Sequence, residues 1–169
     1  MKGQLTIEYM VTFIAFIVFI VFIYFQYASN IPDFIAEIKK EDSRSKAYQL
    51  SELLLNNPGQ PSNWNSVSVQ RLGLSDQNYN KSNLLSLDKI TNLNSTCSND
   101  YLKVQKLIAF DQPFSIHFYN ITDTGMRNSL LECNPPLLEK TELNATVKRI
   151  TSFVDSSGRE NFGELVIEV

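Results

Sequence analysis

The chain has 169 residues, a formal net charge of −3 and 11 phenylalanines. That length accommodates one ordinary domain plus an appendage. The acidic balance, with no Lys/Arg-rich cluster, argues against a nucleic-acid partner. Hydrophobicity is uneven: an apolar stem occupies the N-terminus, and a head rich in Asn, Ser, Leu and Thr follows.

The stem begins MKGQLTIEYMVTFIAFIVFIVFIYFQYA, and residues 9–32 carry no charge. As a helix, this uncharged stretch would be about 36 Å long at about 1.5 Å per residue. A bilayer core is about 30 Å thick, so it is long enough to span one. Phe13, Phe16, Phe19, Phe22 and Phe25 recur every third residue. At that spacing each ring lands about 60° from the last, and the series winds around the helix. A helix apolar on all sides must be surrounded on all sides, by lipid or by other helices. A plain membrane anchor satisfies this pattern. A conventional secretory signal peptide fits poorly: the basic region is Lys2 alone, Glu8 interrupts the start, and a cut after Ala28 would leave bulky Gln26 where a small residue is expected.

SNIPDFIAEIKKEDSRSKAYQLSELLLNNPG comes next. Ser29 or Asn30 is a candidate helix cap, with Pro32 in the first turn and Asp33 near the positive end. Phe34, Ile35, Ile38, Ala47, Leu50, Leu53 and Leu54 fall mostly at helical spacing, with charges on the other face. This predicts an amphipathic extension of the stem that packs on the head and ends at Asn56-Asn57-Pro58-Gly59.

In the head, SVSVQ (66–70) is a short strand candidate. SLDKITNL (86–93) and SNDYLKVQKLIAF (98–110) read as short helices opened by Ser or Asn caps. FSIHFYNI (114–121) alternates, with Phe114, Ile116 and Phe118 on one face and Ser115, His117 and Tyr119 on the other, the mark of a half-buried strand. NATVKRITSFV and FGELVIEV are two more strands, separated by a turn around Ser156-Ser157-Gly158. The fold class that follows is α+β: a long N-terminal hydrophobic helix, with an amphipathic extension packed on a small antiparallel sheet.

KGQLTIEYM followed by an apolar helix resembles the class III signal peptide of archaeal type IV pilin-like proteins. LLNNPGQPSNW, then LGLS, LSLDKI, a Tyr-led helix and a closing strand pair containing VKRI, resemble the order of pieces in the ectodomains of that family. The resemblance implies that a prepilin peptidase cuts between Gly3 and Gln4, leaving the hydrophobic helix attached to the mature chain. It divides the chain into a leader (1–3), a hydrophobic transmembrane stem (4–28), an amphipathic extension (29–57) and an extracellular head (58–169). It also places Glu8 fifth in the mature chain, where the family carries its glutamate. A charged side chain at mid-bilayer costs about 2.5–3.5 kcal/mol on insertion scales, and less near an end. Pairing with the new ammonium of Gln4 on a neighbouring subunit would lower that cost. Two alternatives stand beside this one: Glu8 pairing with its own terminus four residues away, and a simple favourable interaction with the helix dipole. The partners implied are the prepilin peptidase, membrane lipid and other pilin subunits, at the cell membrane and then in an extracellular filament.

Cys97 and Cys133 are the only cysteines. In an exported head the even count favours a disulfide between them, the alternative being two free buried thiols. Asn80, Asn94, Asn120 and Asn144 each open an N-x-S/T sequon and are candidate glycan acceptors if exported and exposed. His117 is the sole histidine and lies on the polar face of its strand, away from any cysteine or paired-carboxylate motif. No standard catalytic, metal or nucleotide motif is present, so the sequence predicts no enzyme activity and no cofactor. A structural filament subunit, with adhesion as a further role, is the leading reading. A membrane-anchored extracellular binding domain that does not polymerise is the alternative.

Overall fold

The structure is a computed structural model that describes residues 2–77, 83–122, 124–136 and 145–169, with side chains from Ile7 onward. The chain forms two compact units, Met1–Lys40 and Glu41–Val169. One helix, α1 (Lys2–Asn56), runs through both. It passes Pro32 without a break, so the cap expected at Ser29 or Asn30 does not start a new helix. Proline removes one N–H from a ladder of 55 residues, and the turns on either side carry the helix through.

In the first unit the large apolar side chains of α1 are exposed from Ile7 to Ile38. Phe34, Ile35 and Ile38 were expected to pack on the head. They are exposed instead, and burial along α1 begins only at Ala47. From there Ala47, Leu50, Leu54 and Leu55 form one buried stripe, set by the three-and-four spacing of a helix face. The helix ends where expected. Asn57 Oδ1 accepts the Gly59 N–H at 2.9 Å, and Gly59 takes a left-handed φ of 80°. Trp64 lies against Gly59 and donates its indole N–H to the Gly73 carbonyl at 2.8 Å.

The strand expected at 66–70 is absent. Asn65 Oδ1 accepts the N–H groups of both Val67 and Ser68, at 3.0 and 2.9 Å. That local turn outcompetes the β-propensity of two isolated valines. A three-residue strand, β1 (Leu84–Ser86), leads directly into α2 (Leu87–Asn99). Helix α3 (Tyr101–Ile108) is capped by Asp100, whose carboxylate accepts the Lys103 N–H at 2.9 Å. The buried Tyr101 hydroxyl accepts the Phe114 N–H and donates to the Phe114 carbonyl, both at 2.9 Å, tying α3 to the start of the next strand.

The remaining strands are β2 (Ser115–Ile121), β3 (Arg127–Cys133), β4 (Thr146–Val154) and β5 (Glu160–Glu168). Their order is β1-β4-β5-β2-β3. Four strands pair antiparallel, but β1 runs parallel to β4, so the sheet is mixed rather than purely antiparallel. The β4–β5 turn is held by Asp155, whose carboxylate accepts the N–H groups of Ser157 and Arg159 at 2.8 and 2.9 Å. The Arg159 and Ser157 bonds hold that carboxyl below its ordinary value.

One face of the sheet carries Ile116, Phe118, Leu131, Phe153, Leu165 and Ile167 into a core shared with the buried stripe of α1 and with Ile90, Leu93, Val104 and Ile108 of α2 and α3. Gly163 on β5 leaves the space that the Phe118 ring fills: a Cβ there would sit 2.3 Å from Phe118 Cζ. Arg149 on β4 forms an ion pair with Glu52 of α1 at 2.8 Å and stacks over the Tyr48 ring at 5.0 Å. Burial works against its charge, but the bonds to Tyr48 and Glu52 prevail, and its pKa is raised.

Candidate functional site

Two regions concentrate the features singled out in the sequence: the exposed stem and the disulfide-bonded side of the head. In the stem, Gly3 and Gln4 fall in the first turn of α1. Glu8 follows one turn later and is exposed. Its backbone carbonyl accepts the Thr12 hydroxyl at 2.9 Å. No described side chain bonds to its carboxylate. The rings of Phe13, Phe16, Phe19, Phe22 and Phe25 are all exposed, with Ile and Val between them. By length and composition α1 is able to cross a membrane. Burying side chains of this size stabilises by about 1.5–3 kcal/mol each, so a helix left this bare in water would be under strong pressure to find lipid or other chains.

In the head, Cys97 of α2 and Cys133 of β3 form a disulfide, with Cα atoms 5.5 Å apart. The spacing of the two cysteines along the chain gave no hint that the bond would link a helix to an edge strand. One turn before Cys97, Asn94 Oδ1 accepts the Glu132 N–H at 3.1 Å. So α2 is fastened to β3 twice, once covalently and once through an amide.

The sequons separate in the structure. Asn94 lies inside α2 with its side-chain oxygen engaged by β3. Asn120 lies inside β2, half-buried and paired on both sides, opposite Asn128 and Gly163. It is the second-last residue of β2, which ends at Ile121 before the turn that starts at Thr122. Asn80 and Asn144 lie outside the described residues.

His117 pairs across the sheet with Glu132 and Val166, and its ring stacks on Tyr119 with centroids 6.1 Å apart. Its Nδ1 is buried and has no hydrogen-bond partner among the described residues. On the same sheet face the buried Glu164 carboxylate forms an ion pair with Arg127 at 3.1 Å. Among the described residues no three His, Cys, Asp or Glu side chains converge as a metal site.

Sequence reasoning missed two features of the head. Strand β3 escaped notice because RNSLLEC reads as polar and turn-like at its start. Lys89, not singled out within the helix expected at 86–93, is buried: its ammonium donates to the carbonyls of Pro58 and Ser75 at 2.8 and 2.7 Å, joining α2 to two loop segments. Burial pushes its pKa down against the opposing pull of Asp76. Beside it, a polar cleft of about 460 Å³ is lined by groups that include Asn63, Asp76, Gln77 and Asp88. Comparison of the chain with protein-family profiles, with characterised proteins and with solved structures finds no match.

Proposed function

We propose that the chain is a structural subunit of an archaeal cell-surface filament of the type IV pilus kind, anchored in the membrane by its stem before assembly. The observation that carries this reading is the exposed apolar surface of α1 from Ile7 to Ile38, with Glu8 the one acid near its start. An anchor needs the apolar surface but has little use for the acid. A stem that packs against copies of itself uses both: the Phe rings fill the bundle, and Glu8 receives the Gln4 ammonium of a neighbour after a prepilin peptidase has cut behind Gly3. The disulfide supports a head on the oxidising side of the membrane. On this reading the head carries glycans at one or more of Asn80, Asn94, Asn120 and Asn144 and presents surface for adhesion.

The test is electron microscopy of sheared surface filaments, with mass spectrometry of their subunits. The expected subunit starts at Gln4. Loss of Met1, Lys2 and Gly3 removes one positive side chain, so the side-chain charge goes from −3 to −4. Glu8→Gln should insert and be processed normally, because the amide is nearly the same size and less costly to bury than a charge. Its share in the filament fraction should fall sharply. Incorporation equal to the native chain would refute the intersubunit role of Glu8. A chain found only in membranes, with no filament containing it, would favour the non-polymerising membrane-anchored binding domain.

A further inference from the structure

The uncharged stretch of α1, residues 9–32, is longer than a bilayer core requires, and its polar side chains mark which part of it meets lipid. Tyr9 stands at one end, directly after Glu8, and Tyr24 and Tyr27 stand toward the other; all three rings are exposed. Tyrosine gathers at membrane–water boundaries, where its ring meets the apolar layer and its hydroxyl reaches water. Tyr9 and Tyr27 are 18 residues apart (27 − 9), about 27 Å at about 1.5 Å per residue. The five Phe of the three-residue repeat all lie between them. Hydrogen bonding divides the helix at the same place. Inside that interval the Thr12 hydroxyl donates to the Glu8 carbonyl at 2.9 Å and needs no water. At its far end the side-chain amides of Gln26 and Asn30 are exposed, and among the described residues they form no hydrogen bond.

We propose that a bilayer with a hydrocarbon layer of about 27 Å covers α1 from Tyr9 to Tyr27, centred on Val18 rather than on the middle of the uncharged stretch between Ile20 and Val21. An amide drawn into hydrocarbon loses its water partners and gains none, so Gln26 and Asn30 hold the boundary at Tyr27. At the other boundary Glu8 stops the layer from extending toward Lys2. The exposed Ile31, Phe34, Ile35 and Ile38 do not pull the layer toward themselves, because covering them would take Gln26, Asn30 and Asp33 into lipid. Those four side chains lie beyond the hydrocarbon layer. The inference rests on the reading of α1 as a membrane anchor and is independent of whether the chain polymerises.

Depth-dependent fluorescence quenching tests this. Phe13→Trp, Phe16→Trp, Phe19→Trp, Phe22→Trp and Phe25→Trp are each made in the full chain. Each is reconstituted in vesicles of dioleoylphosphatidylcholine brominated either near the headgroup or near the chain ends. The native chain is the blank, because Trp64 is the only tryptophan and is buried in the head. Long side chains on a helix lean the same way along its axis, so the new rings share one offset with the tyrosines. Quenching by deep bromine relative to shallow should be greatest at Phe19→Trp and Phe16→Trp, with Phe16→Trp deeper than Phe22→Trp. Gln26→Leu, Tyr27→Phe and Asn30→Leu combined should move the maximum toward Phe22, by about 4.5 Å for three residues. In the native background, Phe22→Trp as deep as Phe16→Trp, or deeper, would overturn the placement while leaving the anchor standing. So would a maximum that the triple variant does not move. Absence of quenching at all five positions would overturn the membrane reading as well.

Discussion

Reducing the Cys97–Cys133 bond should destabilise the head by about 4 kcal/mol. The bond closes a loop of 36 residues. The chain-entropy relation for such a loop gives about 13 cal/mol/K, or about 3.8 kcal/mol at 25 °C, within the roughly 2–5 kcal/mol seen when native disulfides are removed. The unit that contains it, Glu41–Val169, has 129 residues (169 − 40). At about 2.1 cal/mol/K per residue its unfolding entropy is about 0.27 kcal/mol/K, so the melting midpoint should drop by about 14 °C. The assay is thermal unfolding of the full chain in detergent, oxidised and reduced, followed by tryptophan emission. Trp64 is the only tryptophan and is buried in the head, so the stem contributes nothing to the signal. Reduction of the native chain isolates the cross-link. The double variant Cys97→Ala, Cys133→Ala should fall further, because Cys133 is fully buried and its sulfur leaves a void. Midpoints within about 2 °C of each other, before and after reduction, would refute the argument, and would mean that residual structure already keeps the Cys97 and Cys133 segments close in the unfolded reference state.

Two further perturbations probe single packing decisions. Gly163→Ala drives a methyl into the fully buried Phe118 ring and should destabilise by about 1–3 kcal/mol; adding Phe118→Leu should recover part of that loss in the same tryptophan melt, and a neutral Gly163→Ala would show that the ring has room to move. Lys89→Met removes a charge that burial disfavours and two hydrogen bonds to loop carbonyls. Because the folded pKa lies below the ordinary 10.5, the unfolded chain binds more protons between those two values, and native stability gains as pH rises through that window. The urea midpoint of the native chain minus that of Lys89→Met should therefore rise toward pH 10.5; a difference that falls would place the Lys89 shift in the opposite direction.

The sequence was most legible where one period ran uninterrupted. The alternation of residues 114–121 places Phe114, Ile116 and Phe118 in the core as β2 does, because a strand with one buried face fixes every second residue. The Ser- and Asn-led segments became α2 and α3 for the same reason, with Asp100 rather than Asn99 supplying the cap bond. Legibility failed where long-range pairing outweighed local pattern. β1 is three residues long and exists because Leu84–Ser86 lies alongside β4 in parallel. β3 begins with three polar residues and is held by β2 on one side and by Asn94 and Cys97 on the other. The register shift after Phe118 is likewise invisible in a single chain, since a bulge is a mismatch between two strands. In the stem the exposed surface followed directly from composition, but its occupant did not, because lipid and a second apolar helix demand the same side chains.

Lipid and copies of the chain differ in what they ask of a single acid. In lipid, Glu8 is costly and gains nothing from its depth, so an anchor without it would insert as well or better. Between packed stems the same carboxylate has one favourable arrangement, against an ammonium brought by another chain. It can therefore set the axial register that a repeating series of Phe rings leaves free. On the filament reading the rings would supply most of the attraction, and their three-residue repeat would leave several offsets of one stem along the next comparably favourable. A charge pair excludes all but one of them. On that reading the labour would divide between bulk burial, which is strong but permissive, and one ionic contact, which is weak but selective. Moving the acid along the helix separates the two roles. Glu8→Gln combined with Thr12→Glu keeps the charge of the stem and shifts the acid by one turn. If Glu8 sets register, that chain should insert in membranes and fail to enter filaments. If the acid serves only its own helix terminus, that chain should enter filaments as the native chain does.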